Sequence, residues 1–281
     1  MKQIIVLLAM LLLLSCGQTT QEEATKVQPV HIATSVFPVY DIVQRVAGNA
    51  QLTYVVPAGA NPHTFQPAPE TVKKLQNVSL FLGVHPDFDG WVERFLPEGC
   101  SVHYFLPEGE VENPHVWLSL KGGKETAHRV SEVLGERFPE KRQELTTRLA
   151  DFEGEIERAQ GGIDRLFAEV KNPRFIQWHP AWDRFARAHG LEIIGTIEHG
   201  HGHEPAMRDF QDLVETARAT GTRVVVIGLH VQSRAAESLI QEIDGELVHL
   251  DSIGGPDQAG RNDWLSLMQY NAKLLADALS R

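Results

Sequence analysis

Eight short runs rich in β-branched and apolar residues punctuate the chain, at 31–36, 52–56, 78–84, 101–105, 174–178, 191–197, 223–228 and 246–250. Between most of them the apolar positions switch to helical spacing, as at 69–76, 207–219, 235–243 and 264–279. Continuous apolar strands alternating with amphipathic helices predict parallel sheets covered on both faces, which is the α/β class. The rhythm changes in the middle. From Leu145 through Leu149, Phe152, Ile156, Ala159, Ile163, Leu166 and Val170 the apolar spacings run 4, 3, 4, 3, 4, 3 and 4. That is one stripe of a single helix, expected over 139–172, with Pro139 tolerated in its first turn and Pro173 beyond its end. At 1.5 Å per residue such a helix is about 45 Å long, the span of a domain. Gly161-Gly162 inside it predicts a kink. The expected organisation is an α/β lobe over 30–138, this helix as a stiff strut, and a second α/β lobe over 173–281, with only small lobe movements.

The amino-terminal segment follows another logic. Lys2 precedes an uncharged apolar run from Ile4 to Leu14, too short for a permanent membrane span and suited to a signal peptide over 1–15. Leu13-Leu14-Ser15-Cys16-Gly17 resembles the bacterial lipobox, in which the peptide is cut before the Cys and the thiol is acylated. Residues 16–29 then read as a lipidated Cys16 and a polar tether. The expected location is outside the cytoplasmic membrane, in the periplasm or on the cell surface, held by a lipid anchor. Cys100 would have no partner and read as a small buried apolar residue.

Composition narrows the chemistry. The 281 residues include 26 Lys+Arg against 37 Asp+Glu, a formal charge of −11 that argues against a nucleic-acid partner. Two Cys exclude a disulfide scaffold, a Cys-rich zinc module and a Cys-ligated iron–sulfur cluster. Thirteen His remain, so any metal chemistry falls to imidazole.

Open α/β sheets bind ligands beyond the carboxyl ends of their strands. Four metal-capable residues follow strands or lie in loops between them: His63 in Asn61-Pro62-His63, His115 in Asn113-Pro114-His115, His179 directly after 174–178, and Asp251 directly after 246–250. Proline forces the residue before it out of the helical region and stiffens the approach to the His. Three neutral imidazoles and one carboxylate make a tetrahedral set suited to Zn(II), whereas Mn(II), Mg(II) and Ca(II) favour oxygen-rich sites. Each residue also has a structural alternative: a His after a strand can be a satisfied structural group, and Asp251 can cap a turn. Spacing alone leaves both open. His199, His201 and His203, in Glu198-His199-Gly200-His201-Gly202-His203-Glu204, predict an exposed flexible loop rather than core. Its readings are auxiliary zinc capture, incidental affinity, or one His replacing a cleft ligand. His31, His103 and His249 fall in strands, His128 and His189 on helix surfaces, and His85 ends a strand near the expected cleft.

The runs Thr34-Ser35-Val36-Phe37-Pro38, Val56-Pro57-Ala58-Gly59-Ala60-Asn61-Pro62-His63-Thr64-Phe65, Asn113-Pro114-His115-Val116-Trp117, Trp178-His179-Pro180-Ala181-Trp182 and Leu250-Asp251-Ser252-Ile253-Gly254-Gly255 occur in that order. Together they resemble the zinc/manganese-binding lipoproteins of bacterial ABC importers, the cluster A-I solute-binding proteins. The resemblance implies two α/β lobes joined by a rigid helix, with metal held in the cleft by His63, His115, His179 and Asp251. It implies a monomeric receptor, not an enzyme, that hands Zn(II) to an ABC permease and its ATPase. A carboxylate at the third ligand position is common in manganese members of the family; His179 stands there, favouring zinc. Pro180 and Trp182 replace the acidic and aromatic residues common beside the third ligand. The stretch between His63 and His115 also lacks the long His-rich loop of many zinc members. The other readings are a Mn(II) receptor, a surface adhesin or metal-buffering lipoprotein, and a zinc hydrolase. The last needs an open water position and a general base, and the chain has no His-Glu-x-x-His motif.

Overall fold

A computed structural model describes residues 30–281 apart from 108, 110–112, 199–205 and 230. The signal peptide, Cys16, the tether, and His199, His201 and His203 therefore lie outside the described residues. The first sheet comprises β1 (His31–Val36), β2 (Gln51–Val56), β3 (Leu80–Gly83) and β4 (Ser101–Tyr104), with helices α1 (Phe37–Ala47), α2 (Pro69–Leu75), α3 (Pro86–Asp89) and α4 (Leu120–Arg137). After α5 (Arg142–Phe167) comes a second sheet of β5 (Arg174–Gln177), β6 (Glu192–Thr196), β7 (Val224–Gly228) and β8 (Glu246–Leu250). It is accompanied by α6 (Asp183–Ala188), α7 (Met207–Thr220), α8 (Arg234–Glu242) and α9 (Trp264–Leu279).

Every strand pairing is parallel, and the two sheets repeat one order, β2-β1-β3-β4 and β6-β5-β7-β8. All six residues of central β1 are buried, the polar His31, Thr34 and Ser35 included, whereas β2 on the edge starts exposed at Gln51. In each sheet the chain leaves the first strand to one side and later returns to its other side. Such a reversal opens a crevice at the carboxyl ends of the strands, where ligands bind.

The long helix forms, and it is shorter than 139–172. Residues Pro139–Lys141 make a 3₁₀ turn, α5 proper has 26 residues, and it stops at Phe167 although Val170 continues the apolar stripe. Proline explains the start: Phe138, before Pro139, has φ −130° and ψ 71°, outside the helical region. Beyond Phe167 the chain tightens into an i→i+3 turn, with the Val170 N–H donating to Phe167 O at 3.2 Å. The helix continues through Gly161 and Gly162. Its stripe of Leu145, Phe152, Ile156, Ala159 and Ile163 is buried against α1, α4 and α9. One continuous apolar cluster thus runs from Ile32 and Leu80 in the first sheet to Phe175, Val224 and Leu250 in the second.

The carboxy-terminal helix fastens the halves from the other side. Trp264, at the start of α9, is fully buried; its backbone N–H donates to Asp41 Oδ2 at 3.0 Å and its Nε1 donates to Trp117 O at 2.7 Å. Its ring lies where Gly123 of α4 would carry a side chain: a Cβ there would sit 2.0 Å from Trp264 Cζ2. The ring is tied at Nε1 and packs edge-on against Phe152, centroids 5.8 Å apart, so it has little room to retreat and overpacking is not relieved. Gly123→Ala is expected to destabilise the protein by about 3 kcal/mol in denaturant unfolding, the upper end for core overpacking. A change below ~0.5 kcal/mol would mean that α9 is not fixed against the first lobe.

Candidate metal centre

The two Asn-Pro-His segments fold alike. In each, the Asn side-chain oxygen accepts the backbone N–H of the His two residues on: His63 N to Asn61 Oδ1 at 2.9 Å, and His115 N to Asn113 Oδ1 at 2.8 Å. Such turns are local, so they present the imidazole in one direction regardless of the rest of the loop. For His115 the bond also sets the tautomer. Asn113 Nδ2 donates to Asp183 Oδ2 at 3.0 Å, which orients the amide; its Oδ1 therefore faces His115 Nδ1, at 2.8 Å. An amide oxygen only accepts, so Nδ1 carries the proton and Nε2 is left as the ligand atom.

His179 reaches the same state by another route. Its Nδ1 lies 2.6 Å from Glu198 Oε2, a buried carboxylate, and its Nε2 is shielded from solvent without a hydrogen-bond partner. A carboxylate bonded to one ring nitrogen orients the other toward a metal and raises its basicity. Glu198 is well placed for this because it follows β6 as His179 follows β5; its backbone N–H donates to Trp178 O at 2.8 Å.

The three rings converge from both lobes. Their centroids lie 5.5 Å (His63–His115), 5.1 Å (His63–His179) and 5.3 Å (His115–His179) apart, nearly an equilateral triangle. One ligand atom from each falls within 4.8 Å of the other two, and no other such group occurs among the described residues. His63 Nε2 and His115 Nε2 are 3.4 Å apart. Tetrahedral zinc with Zn–N bonds of about 2.0–2.1 Å needs its nitrogens roughly 3.3–3.4 Å apart, so this pair already has the required separation. Phe88 backs the pair, with its ring 5.2 Å from His63 and 6.0 Å from His115, and Trp117 stands 5.3 Å from His115. Burial, then His179, His63 and Arg184, hold the His115 pKa well below the ordinary imidazole value. That residue stays neutral, hence able to bind metal, in mildly acidic solution.

Asp251 is placed differently. It follows β8 at the carboxyl edge of the second sheet, but its carboxylate is outside the three-histidine group. Oδ1 accepts from the backbone N–H groups of Ile253 and Gly254, at 3.0 and 2.9 Å, and Oδ2 accepts from Arg261 at 2.6 Å. The turn-capping use of Asp251 is thus realised in the structure.

The other histidines divide by surroundings. His85 is buried, and its Nδ1 accepts from Asp87 N at 3.2 Å at the start of α3 without joining the cluster. His103 and His249 are exposed on strands, His31 is buried on β1, and exposed His128 bonds Glu153 at 2.8 Å. His189 differs from the expected surface position. Its side chain is fully covered between Phe167 and Phe185, with ring centroids at 5.2 and 4.8 Å.

Sequence reasoning attached no role to Asn113, Glu198 or Arg261. The signal for Glu198 was available: the search for groups just past strand ends, extended to every carboxylate, selects it. Arg261 gave none, because only the folded loop brings it to Asp251.

Two parallel-sheet lobes, a connecting helix and an imidazole cluster at the strand ends define a two-lobed binding protein with a metal-capable cleft. The zinc-uptake complex component A (periplasmic; ZnuA) family matches residues 32–278, and the chain belongs to it. This is a family of metal-binding uptake components, not of enzymes. The zinc-binding lipoprotein AdcA of Streptococcus pneumoniae is 24% identical over 98% of the chain, which spans only 60% of AdcA's length. The manganese ABC transporter substrate-binding lipoprotein PsaA of Streptococcus anginosus is 22% identical, with 99% of this chain and 98% of PsaA covered. Among solved structures, a crystal structure of ZnuA superposes with TM-score 0.78 at 24% identity, covering 90% of this chain and 100% of its own. FpvC from Pseudomonas aeruginosa in complex with Mn²⁺ gives TM-score 0.77 at 21% identity, covering 90% and 99%. These superpositions concern the fold.

Proposed function

We propose that this chain captures Zn(II) between its lobes with His63, His115 and His179, takes Asp251 as the fourth donor, and delivers the ion to an ABC permease driven by its ATPase. The observation that carries the reading is the convergence of three imidazoles, one from each of three separate loops, with Nε2 of His115 and His179 freed by fixed partners at Nδ1. Nitrogen donors in a tetrahedral spacing suit zinc; Mn(II), the cargo named for PsaA, favours oxygen-rich, higher-coordinate sites. A lipid on Cys16 would keep the receptor at the membrane that carries its permease, in keeping with relatives named as lipoproteins. Calorimetric titration of the metal-free protein is expected to show one tight Zn(II) site per chain and a weaker Mn(II) interaction displaced by zinc. Manganese binding tighter than zinc, or no zinc site, would overturn the proposal.

A further inference from the structure

An ion pair sits beside the histidine cluster, in the loop from β8 to α9. Arg261 donates from a terminal guanidinium nitrogen to Asp251 Oδ2 at 2.6 Å, with both side chains largely covered, 17% and 14% exposed. The loop lies against the cleft: Ser252 O accepts Trp117 Nε1 at 2.7 Å, and the Trp117 ring is 5.3 Å from that of His115.

The two partners are held unequally. Asp251 is fixed at its backbone by fully buried Asn271, which accepts the Asp251 N–H at 2.9 Å and donates to its carbonyl at 2.6 Å. Its carboxylate can move only by side-chain rotation. Arg261 has a second resting place. Its other terminal nitrogen donates to Gln258 Oε1 at 3.2 Å, and its guanidinium lies over the Tyr270 ring, 5.0 Å from the centroid. The tight turn that carries it requires Gly254 at φ +63°, where a Cβ would sit 2.6 Å from Arg261 O. A guanidinium leaving Asp251 therefore keeps a hydrogen-bond acceptor and an aromatic face.

We infer that Arg261 is the chain's own competitor for the Asp251 carboxylate, displaced when a divalent cation recruits Asp251 and returning to it as the cation leaves. Two cations cannot share Oδ2 at bonding distance without strong repulsion, and Oδ1 already serves two backbone donors. The exchange gives the site two arrangements, one with Asp251 on Arg261 and one with Asp251 on the metal. A receptor that must hand its cargo on gains from such a competitor, which lowers affinity and speeds release. The inference rests on the three-imidazole reading of the site.

The test uses Zn(II) competition with a chromophoric chelator and stopped-flow transfer of zinc to that chelator, on the full chain. Arg261→Met is expected to bind Zn(II) about tenfold more tightly and to release it more slowly, the scale of one charge-assisted hydrogen bond. In an Asp251→Asn background the same change should have no effect. Arg261→Gln, which keeps a neutral donor, should shift affinity in the same direction by less. Unchanged or weaker binding in both Arg261 variants overturns the inference. So does an equal gain in the Asp251→Asn background, which would mean simple removal of a nearby positive charge. A wild-type chain that binds no zinc, or a His115→Ala variant that binds it undiminished, would instead sink the site itself.

Discussion

Replacing His115 by Ala is expected to weaken Zn(II) binding by about 10²–10³-fold. The scale follows from structural zinc affinities of about 10–16 kcal/mol, roughly 2.5–4 kcal/mol for each of four donors. His115 is the most demanding position of the three. It is the buried member, and its Nε2 is already 3.4 Å from that of His63. No described neighbour can replace it: His85 is committed at Nδ1 to the start of α3, and Phe88 and Trp117 are not ligands. The fold should survive, because the lobes are joined by α5, α9 and Trp264 rather than by the cluster. Competition titration checks the affinity and denaturant unfolding of the metal-free variant checks the fold. A loss below tenfold in a folded variant would remove His115 from the site.

The second large effect concerns a residue that is not itself assigned as a ligand. Glu198→Ala is expected to weaken Zn(II) binding by about 10–100-fold, the usual cost of losing the carboxylate behind a metal-bound imidazole. Without Oε2 at 2.6 Å, His179 is free to rotate or to carry its proton on Nε2, the atom the metal requires. Glu198→Gln separates charge from geometry. Its amide oxygen can still accept the Nδ1 proton, so it should recover part of the lost affinity while lacking the carboxylate's charge. Equal losses in the two variants would show that charge, not orientation, is what Glu198 supplies. Unchanged affinity in both would show that His179 needs no such support.

Much of the fold was legible because it rests on periodicity. β1, β8 and α9 occupy the residues expected of them, since short runs rich in apolar and β-branched residues between turns, and a 3.6-residue stripe, have few other interpretations. The long helix was visible as a stripe, but its start depended on Pro139 acting on Phe138, and its end on a tightened last turn, neither of which apolar spacing registers. The site was legible in part for a similar reason. The Asn-Pro-His turns are local, so their histidines could be read one loop at a time, and the strand-end rule added His179. What could not be read is pairwise. Asp251 belongs at once to a turn and to Arg261, ten residues on, and His189 is enclosed by Phe167 of α5, which no local pattern connects to it. Glu198 meets His179 because parallel pairing of β5 with β6 brings the ends of the two strands together.

A divalent ion held among three imidazoles contributed by both lobes leaves a distinct signature in X-ray absorption at the zinc edge of the loaded, full-length protein. The expected spectrum has a nitrogen/oxygen shell at about 2.0–2.1 Å with the outer-shell scattering of three imidazole rings. A sulfur shell near ~2.3 Å, or an oxygen shell without imidazole scattering, would place the ion elsewhere.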